Sequence, residues 1–192
     1  INIQEPCIGI LNSWLGVLLM TLAFIILISS FPTVDDNMLF YISRMGRKNW
    51  IIGEIVFLIA GSVTYWVAII AGVVIQTQHI SFISNGWSIV ITDHDKLYSG
   101  ISGLKTAGII PPNLYFQMTP YKAFLHSSGL LLLGILFCAM MFFIGSMYSR
   151  KLLFFVIVAI QVSAGCGLIA IDNTGEWLFP ISHSILYLHY NT

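Results

Sequence analysis

Residue types able to hold a metal or run acid–base chemistry gather in two groups. His79, Asp93, His94 and Asp95 lie mid-chain, and Asp172, Glu176, His183 and His189 lie near its end. A zinc enzyme needs ligands at fixed offsets, such as two histidines four residues apart with a glutamate beside the first. Neither group has that spacing, so no metal site and no cofactor is expected. His126, Ser127 and Ser128 raise a different chemistry, a serine nucleophile with an imidazole base, as serine-based intramembrane proteolysis would use. No nucleophile motif surrounds them, and hydrated loop histidines are the expected reading. Nucleotide chemistry has no foothold either. The sequence holds no G-x-x-x-x-G-K-[ST] loop, and YSGISG at 98–103 lacks the lysine and hydroxyl that would hold phosphates and magnesium. Cys7, Cys138 and Cys166 are odd in number and without CxxC spacing, which reads as packing rather than disulfide or zinc.

These residues sit in a chain of 192 residues that is 57% hydrophobic and 8% charged, where a globular domain carries about 25% charged. The balance of eight Lys/Arg and eight Asp/Glu offers no basic footprint, and nucleic acid is excluded as a main partner. Charges are missing from Pro6 to Val34, Ile55 to Thr92, Ala123 to Ser149 and Leu152 to Ile171. Each gap holds the run of about 20 helical residues that a hydrocarbon core of about 30 Å demands. Spans are expected at Ile10–Phe31, Ile51–Ile75, Ala123–Tyr148 and Leu152–Ile171. A β-barrel would need alternating strands, and LLFFVIVAIQV does not alternate. The expectation is an all-α polytopic transmembrane helix bundle, one domain over 1–192, with four spans plus interfacial helices. An opening at Ile1 without a basic leader region suggests a piece of a longer protein.

Loop charge orients the spans. The first connection carries Arg44, Arg47 and Lys48, and the third is the turn Ser149-Arg150-Lys151. The much longer second connection, Gln76 to Lys122, carries only Lys96, Lys105 and Lys122. The positive-inside rule therefore places the two short connections in the cytoplasm of a cell-membrane protein. The long connection, punctuated by GIIPPN and Pro120 and bearing Trp87, Tyr98, Tyr115 and Tyr121, is expected to form a small external element, partly along the outer surface. Glu54 is the one ionisable residue inside a gap's edge. An intramembrane carboxylate is a functional candidate by default, but a local ion pair with Arg47, seven residues earlier, is the simpler expectation.

Within the first connection, Asp35 and Asp36 suit a helix start, Met38, Leu39, Ile42 and Met45 recur at helical spacing, and Gly46 suits a left-handed end. The segment reads as a short amphipathic helix leading into a basic knot. Two uses fit it: an interfacial anchor, or a docking helix whose apolar stripe enters a partner's groove.

The sequence here resembles the membrane subunit of bacterial ABC exporters of the second type, especially the small permeases of Gram-positive bacteria. Those permeases carry R-x-G-R-x-x-W-x-x-G-[QE]-I after their coupling helix, and this chain has Arg44, Gly46, Arg47, Trp50, Gly53, Glu54 and Ile55 in that register. Thr119, Pro120 and Ala123 match a T-P-x-x-A segment that ends the outer loop, and Pro180 to His183 match P-I-S-H before an outer amphipathic stretch. The likeness covers Trp14 to His189 and corresponds to helices two to five of six. It implies that Asp35, Asp36, Met38, Leu39, Ile42, Arg44, Met45, Gly46, Arg47 and Lys48 contact a separate cytoplasmic ATPase. The chain itself would then be no enzyme and would form a homo- or heterodimer with a second permease chain in the bilayer. Substrate and direction are left open. Two other classes also fit the residues: an integral-membrane enzyme using the outer histidines and carboxylates, and an assembly subunit without transport of its own.

Small residues recur every fourth position at Ala60, Thr64, Ala68 and Gly72, and at Ala159, Ser163 and Gly167. Such stripes let helices approach closely in lipid, and packing within the bundle is expected, with a dimer seam as the alternative. EWLFPISHSILYLHY sets Trp177, Leu178, Ile181, Ile185 and Leu188 on one broad face, expected to lie in the outer interface or to re-enter the bundle.

Overall fold

The computed structural model describes residues 1–29, 38–92, 110, 112–148 and 150–190. Among them the chain forms α1 (Gln4–Leu11), α2 (Trp14–Ile28), α3 (Met38–Met45), α4 (Arg47–Thr77), α5 (Ile89–Thr92), α6 (Pro112–Gln117), α7 (Pro120–Met147) and α8 (Lys151–Ala170). Three 3₁₀ turns follow at Thr174–Leu178, Pro180–Ser184 and Leu186–Tyr190. The only extended pairing among the described residues is an isolated bridge between Asn2 and Phe82. The fold is an all-α helical bundle.

Three helices are long and apolar enough to cross a membrane: α4, α7 and α8. Each overlaps an expected span, and the starts fall a few residues earlier for local reasons. Thr119 is extended and Pro120 takes the first helical position of α7, where a missing N–H costs nothing. The expected span at Ile10–Phe31 is not one straight helix. Instead α1 and α2 meet at a bend of 79°, and only counted together as one span do they make a fourth crossing. Ser13 produces the break: it is extended, and its hydroxyl accepts from the Gly16 amide as a cap for α2. Gly16 permits it, because a Cβ there would collide with the Ile10 carbonyl oxygen. The 15 residues of α2 alone reach about 22 Å at 1.5 Å per residue.

The core lies between α2, α7 and α8. Val17, Phe24 and Ile25 of α2 meet Leu131, Ile135, Ala139 and Phe142 of α7 and Val158, Val162 and Cys166 of α8. Cys7, Cys138 and Cys166 are all buried free thiols, as their reading as packing residues expects. α4 stands outside this centre and buries only Leu58 and Ser62. It is tied in by two side-chain hydrogen bonds, from the Tyr65 hydroxyl to the Met20 carbonyl (2.8 Å) and from Trp66 Nε1 to the Ser128 carbonyl (3.0 Å).

The small-residue stripes do not pack the bundle. Ala60, Thr64, Ala68 and Gly72 all face outward on α4, as do Ser163 and Gly167 on α8, with Ala159 half-buried. Close approach happens at other glycines. A Cβ on Gly145 would come within 2.5 Å of the Phe154 side chain across the α7–α8 turn, and one on Gly165 within 2.5 Å of Ile181.

The C-terminal stretch departs from a single helical face. Each of its 3₁₀ turns closes i→i+3, as in Phe179 N–H to the Glu176 carbonyl and Ile185 N–H to the Ser182 carbonyl. Pro180 lacks the donor that would let a helix run on. As a result Ile181, Ile185 and Leu188 are buried while Trp177 and Leu178 are exposed. The stretch leaves α8 through Asp172, whose φ of 51° is the one positive value at a non-glycine among the described residues, and folds back onto α7 and α8.

Gly145→Val is expected to overpack the α7–α8 contact and cost about 1–3 kcal/mol. Gly129→Val, in open space on α7, is expected to cost nothing measurable. Thermal unfolding of the detergent-solubilised protein compares the two.

Candidate functional site

The residues with the most pointed sequence signal converge on the joint between α3 and α4. α3 runs from Met38 to Met45 and α4 starts at Arg47, so the joint is one residue long. Gly46 occupies it at φ 81°, ψ 144°, a region open to glycine and closed to most side chains. Its N–H donates to the Ile42 carbonyl and finishes α3, and its carbonyl accepts from the Trp50 N–H and starts α4. Asn49 reaches back over the break, donating from Nδ2 to the Met45 carbonyl at 2.9 Å. One of the orphan carbonyls at the end of α3 is thereby satisfied.

Around this joint Arg44, Arg47 and Lys48 are all exposed. The exposed apolar surface of α3 is formed by Phe40, Tyr41 and Met45, with the Phe40 and Tyr41 rings edge to face at 6.3 Å. Ile42, expected on the same stripe as Met45, is half-buried. Met38 and Leu39 fall in the first turn of α3, and Asp35 and Asp36 lie outside the described residues. Phe40 and Tyr41 were not singled out in the sequence, although Tyr41, three residues after Met38 and four before Met45, shares their helical spacing.

Glu54 is half-buried on α4, and Arg47 is exposed; the expected ion pair between them does not form. The reason is geometric. Seven residues along a helix is about 10 Å of rise, beyond the one-turn reach at which helical ion pairs close.

His79 is exposed, and Asp93, His94 and Asp95 lie outside the described residues. No group of three or more His, Cys, Asp or Glu able to hold a metal occurs among the described residues. His126 places Nδ1 at 2.7 Å from the Lys122 carbonyl, whereas Ser127 is buried and accepts from Asn12. His183 and His189 are exposed and stack about Trp177, with ring centroids 5.3 and 5.5 Å from the indole.

Two polar residues that the sequence did not single out organise this end. Asn12, 4% exposed, donates from Nδ2 to the Ile8 carbonyl and to Ser127 Oγ, both at 2.9 Å. Its Oδ1 accepts from Leu186 N–H at 3.0 Å and Tyr187 N–H at 3.2 Å. Glu5, 1% exposed, accepts from Asn2 N–H (2.9 Å), Ser88 N–H (2.6 Å) and Ser88 Oγ (2.7 Å). Asn2 adds bonds from Nδ2 to the Ser84 and Gly86 carbonyls, and the Asn2–Phe82 bridge completes the seam. Near the last turns of the chain, Glu176 is 7% exposed with Oε2 unpartnered. Burial, and then the like charge of Asp172, push its carboxyl above the ordinary glutamate range.

Comparison with known protein families, with curated proteins and with solved structures finds no match to this chain.

Two outcomes test this geometry. Asn12→Leu strands the Ser127 hydroxyl and two buried backbone N–H groups, each worth about 1–3 kcal/mol when left unpaired, and amide exchange at Leu186 and Tyr187 is expected to speed up. Because the folded pKa of Glu176 is raised, its protonated form favours the folded turn. The stability it contributes is full in acid and is lost as pH rises through the raised value. Glu176→Gln is expected to flatten that part of the unfolding-midpoint profile against pH and to stabilise the protein at neutral pH.

Proposed function

We propose that this chain is a membrane-spanning permease subunit of an ABC transporter, working as an exporter with ATP hydrolysed on a separate cytoplasmic ATPase. The observation that carries the reading is the α3–α4 joint. A short helix with exposed Phe40, Tyr41 and Met45 is set by a left-handed glycine against a 31-residue helix apolar enough to span the bilayer, with three exposed cations at the elbow. An exposed apolar helix face is the form that docks into a partner's groove, and the cations fit the cytoplasmic side. The motif from Arg44 to Ile55 that resembles small bacterial permeases spans this same elbow.

In this reading the ATPase grips α3, and its closure tilts α4, the spanning helix that the bundle core holds least. Packed helices then exchange one arrangement for another, opening a path first to one side and then to the other. A second permease chain completes the pathway, and the outward-facing stripe Ala60–Thr64–Ala68–Gly72 offers it a close seam. Glu54, half-buried near the cytoplasmic end of α4, is the polar side chain placed to sense that movement.

Replacing Phe40 and Met45 with Asp is expected to lower co-purification with a phosphate-loop ATPase at least tenfold while leaving membrane insertion intact; unchanged co-purification would refute the docking role. Orientation has its own test. All three native cysteines are buried, so Lys48→Cys supplies a clean label. It is expected to resist an impermeant maleimide on intact cells and to react after permeabilisation, and ready labelling from outside would place the elbow on the wrong side.

A further inference from the structure

A cavity of about 310 Å³ lies between α7 and the folded-back C-terminal turns, with Leu133, Gly134 and Phe137 on one wall and Leu178, Pro180 and His183 on the other. That is the lower end of the range for small-ligand pockets, about 300–1,000 Å³. Its walls are carbon almost throughout, and its open side is edged by side chains left bare: Leu133 is 63%, Phe137 40% and Leu178 84% exposed.

The helices fix its depth. Ile181, beside the cavity, touches both Gly134 of α7 and Gly165 of α8, so these two glycines lie at one level. Gly165 precedes the last residue of α8, Ala170, by five positions. At 1.5 Å per residue the level is about 7–8 Å inside the end of that spanning helix. An apolar groove opening sideways at that depth faces hydrocarbon, where neither water nor a polar ligand is a competing occupant.

Its rim is different. His183 borders the cavity and is exposed, and the rings of Trp177, His183 and His189 form a cluster with centroids 5.3–5.9 Å apart. His183 Nε2 lies 3.3 Å from the Trp177 carbonyl and His189 Nε2 lies 3.1 Å from the His183 carbonyl. A carbonyl can only accept, so each Nε2 carries the proton and each Nδ1 is left for another partner. Tryptophan is enriched at the headgroup boundary, and an imidazole ring likewise presents an apolar body with a polar tip.

We propose that this groove holds one acyl chain of a phospholipid from the leaflet opposite the Arg44–Lys48 knot, with the headgroup resting on the His183–His189 pair. The site is independent of the transport reading and stands or falls apart from it.

Native mass spectrometry of the full chain, delipidated in mild detergent and titrated with palmitoyl-oleoyl-phosphatidylglycerol, tests the assignment. Wild type is expected to retain one lipid per chain. Leu133→Trp, which fills the groove from its exposed wall, is expected to weaken retention at least tenfold. Leu178→Trp does the same from the opposite wall and serves if the first variant fails to elute as a folded species. Ile52→Trp, equally exposed but on α4, is expected to bind as wild type does. Equal retention by all four proteins, or none by wild type, would overturn the site. Retention of oleate but not of the phospholipid would overturn the headgroup assignment.

Discussion

One side chain, Asn12, holds together the end of this protein where α1, α7 and the last 3₁₀ turn meet. A carboxamide has two N–H donors and two acceptor lone pairs, and Asn12 uses all four on groups from α1, α7 and the last 3₁₀ turn. Its place at the break between α1 and α2 is no accident of packing. The bend packs α1 against α4 and α7 and leaves buried backbone and hydroxyl groups there that need a partner. Leucine would match the volume without the bonds, and aspartate would accept without donating. The C-terminal turns are short and weakly self-supporting, and the last of them starts on this anchor. The small cluster of Ile8, Ile91, Ile110, Leu114, Ala123 and Leu186 forms around it.

At the other end the constraint is looser by construction. α2, α7 and α8 share the buried core, while α4 gives it one fully buried apolar side chain, Leu58, with Ile51, Ile55 and Tyr65 partly buried against it and two hydrogen bonds. The least embedded spanning helix is also the one joined directly to the exposed α3. In the proposed mechanism that asymmetry matters, because displacement enters the bundle where repacking disturbs the fewest buried contacts. A rigidly buried α4 would resist the same push.

How much of this was legible in the sequence depends on the kind of signal. Apolar runs report length and lipid compatibility, and α4, α7 and α8 follow them closely. The first run failed as a straight span because hydropathy is blind to a capping serine and to a glycine that must sit against a carbonyl. Gly46 was readable, since glycine after an amphipathic turn and before a new helix has one common use. The stripes misled: spacing identifies small residues on one face without saying what that face meets. Gly145 and Gly165, which do meet neighbours, belong to no repeat of that sort. Asn12 and Glu5 were invisible because their partners lie as much as 175 positions away in the chain.

Glu5 has a consequence for how the seam between the first residues and Phe82–Ser88 behaves in solution. Among the described residues its carboxyl group is held by three neutral donors, Asn2 N–H, Ser88 N–H and Ser88 Oγ, and by no lysine or arginine. Mobile ions weaken an attachment made of opposite charges, whereas short hydrogen bonds sealed from solvent lie largely beyond the reach of screening. The first residues and the stretch from Phe82 to Ser88 therefore stay joined across swings in ionic strength, so this seam answers to dehydration and competing hydrogen-bonders rather than to salt.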